Sequence, residues 1–182
     1  FLFTRLALQS GEHLKAEIST SLNLAKFEYE GLPESTTNSV FGSQKLENQW
    51  MPRLALSYLF TNNIVARGII SRGYSIPTTA EIRASDARIN PDLIPESGWN
   101  YELGFRARTP FESINLDVTI FNYQLDNAIV RRVNANDQDF YVNAGGTNQK
   151  GLEITIASNL LKRNTGFIKS IDFNNALTFN DF

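Results

Sequence analysis

Residues 50–60 read WMPRLALSYLF, residues 61–63 TNN, and residues 64–74 IVARGIISRGY. Trp50, Leu54, Leu56, Tyr58 and Phe60 alternate with Arg53, Ala55 and Ser57. A period of two places one set on each face of a β-strand, with apolar residues on one side and polar on the other. The polar TNN then turns the chain back into a second extended run, so the stretch predicts a long hairpin.

The same period recurs on both sides of it. Leu14, Ala16, Ile18, Leu22 and Leu24 alternate with Lys15, Glu17, Ser19, Ser21 and Asn23. Trp99, Tyr101, Leu103, Phe105 and Ala107 alternate with Asn100, Glu102, Gly104, Arg106 and Arg108. Leu116, Val118 and Ile120 do so with Asn115, Asp117 and Thr119, and Leu152, Ile154 and Ile156 with Gly151, Glu153 and Thr155. Ile171, Phe173, Leu177 and Phe179 close the series. No comparable stretch carries a helical period, so the chain is all-β. Expected strands are Phe1–Gln9, Leu14–Tyr29, Asn48–Phe60, Ile64–Tyr74, Trp99–Arg108, Ile114–Arg132, Phe140–Asn159 and Ile168–Phe182.

Turn lengths alternate as well. Short polar turns fall at Gln9–His13, Thr61–Asn63 and Thr109–Ser113, and long loops at Glu30–Asn48 and Ser75–Ser97. Two connections fit less well: Leu160–Ser170 is longer than a tight turn, and Val133–Asp139 is a short loop on the long-loop side. Long strands with one short-turn end and one long-loop end are the pattern of an antiparallel up-and-down transmembrane barrel. Mean hydropathy is −0.25, and no run approaches the ~18 apolar residues of a spanning helix. That excludes membrane helices only, because barrel strands carry polar residues at every second position. Aromatic residues near strand ends (Phe27, Tyr29, Trp50, Tyr58, Phe60, Trp99, Tyr101, Phe121, Tyr123) are expected to form interfacial girdles. The same alternation also suits a soluble or surface β-sandwich, an adhesion or carbohydrate-binding module.

Chemistry is sparse. The chain has no cysteine, one histidine (His13, expected as a solvated turn residue) and a formal net charge of −2. There is accordingly no disulfide framework, no cysteine-ligated metal and no basic field for nucleic acid. It lacks a P-loop, a G-x-G-x-x-G and a G-x-S-x-G elbow. An enzyme is not expected, nor a metal site. Glu102, Asp117 and Glu153 are expected singly on the polar face, without the paired carboxylates of hydrolytic chemistry.

Three motifs carry a resemblance. They are MPRLALSYLFTNNIVARGIISRGYSIPT (51–78), NPDLIPESGWNYELGFR (90–106) and NAGGTNQKGLEITI (143–156). In order and spacing they resemble the C-terminal half of the barrel of TonB-dependent outer-membrane receptors. Ile94 stands where the family often has Lys, and Ile69–Ile70 make a locally apolar strand. Most of Pro91, Pro95, Gly73, Gly145, Gly146 and their neighbours are expected to serve architecture: prolines before a strand starts, glycines at rim bends.

The resemblance implies a partial barrel domain over 1–182, about eight strands of a barrel of about 22, with the plug domain and final closing strands outside this stretch. Phe1–Gln9 holds Arg5 and no small-residue cleavage site, so no export signal is expected there. The resemblance also implies a bacterial outer-membrane location. Implied partners are lipid or lipopolysaccharide, the protein's own plug, and TonB. The implied cargo is a scarce nutrient, most often a ferric siderophore or ferric citrate (an Fe(III) chelate), with cobalamin or a glycan as alternatives; no resident cofactor is implied. On the exterior loop, Arg72, Tyr74, Arg83, Arg88 and Glu96 are the candidate ligand contacts, since arginine suits anionic chelates. Arg53, Glu102, Arg106 and Glu153 are expected to face the lumen, with Arg53, Arg106 and Arg108 pairing with plug or barrel carboxylates. Taken alone, the stretch is expected to self-associate through its sheet edges.

Overall fold

The computed structural model describes residues 1–31, 40–83, 89–109, 114–163 and 165–182. Eight strands form one antiparallel sheet: β1 (Leu2–Ser10), β2 (Leu14–Asn23), β5 (Gln49–Thr61), β6 (Ile64–Ser75), β7 (Glu96–Arg108), β8 (Ile114–Asp126), β11 (Gly146–Lys162) and β12 (Ser170–Asp181). They follow one another in chain order, the meander that the alternating turns predict. Two hairpins stand apart as separate ladders, β3 (Lys26–Gly31) with β4 (Val40–Lys45), and β9 (Ile129–Val133) with β10 (Asp139–Asn143). One short helix, α1 (Thr79–Ile82), lies between β6 and β7.

Register gives the sheet two chemically different faces. Paired residues in an antiparallel ladder point the same way, so a row can be followed from strand to strand. One row runs Leu8, Ala16, Leu56, Gly68, Leu103, Ile120, Leu152, Phe179 and crosses all eight strands. The next row of that face contains Leu14, Tyr58, Ala66, Phe105, Val118, Ile154 and Leu177. On the opposite face run Gln9, Lys15, Ser57, Arg67, Gly104, Thr119, Glu153 and Thr178. Leu54, Leu56, Leu103, Phe105, Ile120, Leu177 and Phe179 are all exposed to solvent. A sandwich covers such a face with a second sheet about 10 Å away; among the described residues the strands outside the main sheet are those of the two small hairpins. A single sheet with a continuous bare apolar face is a barrel wall.

Strand lengths agree. β5, β7 and β8 have 13 residues and β11 has 17, beyond the ~9–11 that cross a bilayer at a tilt. Buried apolar side chains gather at the long-loop end, where Leu93 is 1% exposed and Leu46, Ile82 and Ala128 are also buried.

Three expected strands prove shorter, because the ladder is interrupted. Leu14–Tyr29 breaks at Leu24–Ala25, where Ala25 leaves the sheet and its carbonyl accepts from Leu46 N at 2.9 Å. Ile114–Arg132 breaks at Asn127–Ala128 and Phe140–Asn159 at Ala144–Gly145, where Asn127 and Gly145 take φ of +56° and +76°. Left-handed backbone on both sides bends the hairpin away from the sheet. Val133–Asp139 is the tip of that hairpin. The Leu160–Ser170 connection shrinks, because β11 continues to Lys162 and Arg163 N donates to Lys169 O at 2.8 Å. Part of the expected Glu30–Asn48 loop is β4, and residues 32–39 lie outside the described residues. The Thr109–Ser113 turn lies mostly outside them, though Thr109 N donates to Ile114 O at 3.0 Å across its base.

The girdle expectation needs one correction. Trp99 and Tyr101 stack on the apolar face with ring centroids 6.3 Å apart, and Tyr58 meets Phe60 edge-on at 4.9 Å. Phe121 and Tyr123, however, pair in register with Glu102 and Asn100 on the polar face. His13 sits exposed in its turn, with Nδ1 2.6 Å from the Leu59 carbonyl to which it donates.

Candidate functional site

Two groups of charged residues line the polar face. In the first, Glu17 of β2 sits between Arg5 of β1 (2.5 Å) and Arg53 of β5 (2.7 Å). In the second, Asp117 of β8 accepts two bonds from Arg67 of β6, at 3.0 and 2.7 Å, and one from Arg106 Nε of β7 at 2.7 Å. Arg67 also donates to the Thr119 hydroxyl at 2.7 Å. Asp117, expected without a paired carboxylate, is the centre of a three-strand cluster whose other charged members are the two arginines. A bidentate arginine fixes geometry as well as charge.

Arg67 reaches β8 by lying over Gly104 of the strand between. A Cβ built on Gly104 would stand 2.6 Å from Arg67 Nε and 2.9 Å from its Cγ. Two further glycines of the polar face seat neighbouring rings: a Cβ on Gly151 would meet Phe121 at 2.4 Å, and one on Gly98 would meet the Tyr123 hydroxyl at 2.6 Å. This explains the inward placement of both rings. Gly73, expected at a bend, instead pairs regularly with Gly98 in the ladder.

Arg53, Arg106, Glu102 and Glu153 lie in phase on the polar face of the sheet. Arg53 and Arg106 pair with barrel carboxylates, and Arg108 Nε donates to Asn115 Oδ1 at 2.8 Å. Glu102 accepts from Asn100 Nδ2 at 2.5 Å, and Glu153 shares a row with Thr119 and Thr178.

At the long-loop end, the second and third motifs meet. Asn143 Nδ2 donates to the carbonyls of Ile94 (2.9 Å) and Asn127 (2.7 Å), while its Oδ1 accepts from Ile94 N at 2.9 Å. Asn90 Nδ2 donates to Tyr141 O at 2.9 Å, and Glu96 Oε1 accepts from Ile129 N at 2.6 Å. Pro95 is buried and immediately precedes β7, as the proline argument expects. Upstream, Thr78 and Glu81 form a reciprocal capping box around α1. On the neighbouring hairpin, Asp139 lies 2.7 Å from Arg131 and its hydrogen bond holds the guanidinium pKa above the ordinary value.

The ligand-contact candidates do not converge in one loop. Arg72 and Tyr74 belong to β6, in phase with Ile70 on the apolar face, and Arg72 Nη1 donates to Trp50 O at 2.9 Å. Glu96 opens β7, engaged by the Ile129 amide. Arg83 caps α1 and bridges to Ile89. Arg88 lies outside the described residues. Sequence reading missed Arg67 and Asn143. The Ile69–Ile70 pair blurs the phase of β6, and Asn143 acts on a segment 49 residues away.

Comparison with known proteins agrees with this geometry. The sequence model of the family "TonB dependent receptor-like, beta-barrel" matches residues 10–182. Among solved structures, the chain is similar to the Serratia marcescens hemophore receptor HasR (19% identity, TM-score 0.63, covering 85% of this chain and 31% of that one). It is similar to the ferric yersiniabactin uptake receptor FyuA of Yersinia pestis (18%, 0.65, 99% and 26%) and to the copper transporter OprC (11%, 0.69, 87% and 26%). The chain thus spans between a quarter and a third of these solved chains. At such identities the likeness concerns the fold alone. Members of the matched family are outer-membrane transporters and receptors of Gram-negative bacteria, and this chain belongs to the TonB-dependent receptor-like β-barrel family.

Proposed function

We propose that the protein carrying this barrel wall imports a ferric siderophore or ferric citrate across the outer membrane with energy delivered by TonB. The Fe(III) chelate is cargo, and no resident cofactor enters the reading. The observation that carries it is the family match over residues 10–182. The choice of cargo is supported by the similar solved structures of an alcaligin receptor, a ferric-catecholate import receptor and a ferric yersiniabactin uptake receptor. In this reading lipid or lipopolysaccharide surrounds the apolar rows, and a plug domain of the same protein faces the inner wall.

The test is uptake of radioactive iron by the full-length protein in a strain stripped of its own iron receptors, with and without TonB. A panel of hydroxamate, catecholate and citrate chelates is offered under iron limitation. TonB-dependent accumulation from at least one of them is the expected result. Uptake of haem, copper or cobalamin instead would keep the transport class and discard the ferric-chelate cargo.

A further inference from the structure

Asn143 ends β10, opposite Ile129 in the hairpin ladder, and its side chain reaches out of that ladder. Its two bonds with Ile94 copy, with a side-chain amide, the exchange that a backbone pair makes in an antiparallel bridge. A third bond, to Asn127 O, reaches the bend where β8 becomes β9. The hairpin needs such a hold. It joins the sheet through left-handed residues on both strands, Asn127 and Gly145, stitched by Ala128 N to Gly145 O (3.0 Å) and Ala144 N to Ala128 O (2.9 Å). The main ladder does not continue through those bends, so contacts outside it set the hairpin's orientation.

We propose that Asn143 is a positioning residue that pins residues 89–96, and through them residues 78–83, to the β9–β10 hairpin as a single exterior unit. Arg83 rides on that unit. Its amide donates to Thr79 O at 2.9 Å, and Asn90 N returns to Ile82 O at 2.8 Å, closing the segment on itself before it docks on the hairpin. Leu93 is buried, and the Glu96–Ile129 bond is a second fastening between the same two segments. Side-chain pins from two elements give one body where the topology alone supplies two loops. The inference holds for any cargo, because it concerns which segments move together.

Hydrogen–deuterium exchange on the full-length protein tests it. Asn143→Leu removes three bonds, so amide exchange is expected to rise about tenfold or more, in residues 90–95 and 129–142 together, with β7, β8 and β11 unchanged. Glu96→Ala breaks the opposite fastening and is expected to loosen both segments as well, whereas Glu96→Gln keeps an acceptor for Ile129 N and stays at the wild-type rate. Loosening of one segment with the other at its wild-type rate, in either variant, overturns the proposal; so does no change in both. If Asn143→Leu fails to assemble, the Glu96 pair decides by the same criterion.

Discussion

Arg67 and Asp117 sit on strands that are not neighbours, yet the guanidinium of one closes a two-bond fork on the carboxylate of the other, at 3.0 and 2.7 Å. The strand between them gives way at Gly104. The contact is thus a property of three strands at once, and it clamps β6, β7 and β8 on the inner face.

Gly104→Val is expected to destabilise the assembled barrel by roughly 1–3 kcal/mol, since the new side chain displaces Arg67. In an Arg67→Ala background the same change is expected to be nearly neutral. Urea unfolding in detergent, read as a double-mutant cycle, measures the difference. Equal losses in both backgrounds would show that Gly104 serves something other than the clamp.

Asp117→Ala and Glu17→Ala form a second comparison. Asp117 and Arg67 are the more enclosed pair, with side chains 22% and 29% exposed against 27% and 57% for Glu17 and Arg5. Asp117→Ala leaves two arginines facing each other and is expected to cost about 2 kcal/mol, between the exposed and the buried limits. Glu17→Ala is expected to cost clearly less, since solvent screens the more exposed pair. A reversed order in the same unfolding assay would count against the clamp as the stronger cluster.

The face assignment has its own test. Leu103→Arg puts a charge in the middle of the apolar row and is expected to cost about 2–4 kcal/mol in lipid. Glu102→Gln, one residue away on the other face, is expected to remain within about 1 kcal/mol, since it keeps its hydrogen bond with Asn100. Folding titrations in liposomes distinguish the two.

Residues 1–182 produced alone carry two long strand edges, β1 and β12, each with one partner strand in the sheet. Light scattering in detergent is expected to find dimers or larger species, because free ladders recruit one another. A monodisperse monomer with native strand content would contradict this.

Much of the wall was legible because period-two alternation is local. Leu103 and Glu102 declare their faces from their immediate neighbours, and TNN at 61–63 announces its hairpin. What escaped depends on residues far apart. Asp126–Asn127 tolerates a left-handed bend, but with no glycine or proline beside it the pair does not break the alternation, so β8 and β9 read as one strand. Phe121 and Tyr123 resemble girdle aromatics until the register shows Gly151 and Gly98 beneath them. Arg67 and Asp117 are 50 positions apart, and only strand order brings them to adjacent rows. The placement of Arg72 and Tyr74 escaped for the same reason: they sit next to a loop in sequence but in phase with Ile70 on the apolar face.

The three seating glycines also bear on the bore of the channel. A guanidinium, a phenyl ring and a phenol that would otherwise project toward the axis lie flat in dents of the wall. The wall thereby keeps large, polarisable groups on its surface while giving up little clearance. This stretch of the polar face is a shallow, chemically varied relief in place of a hedge of side chains.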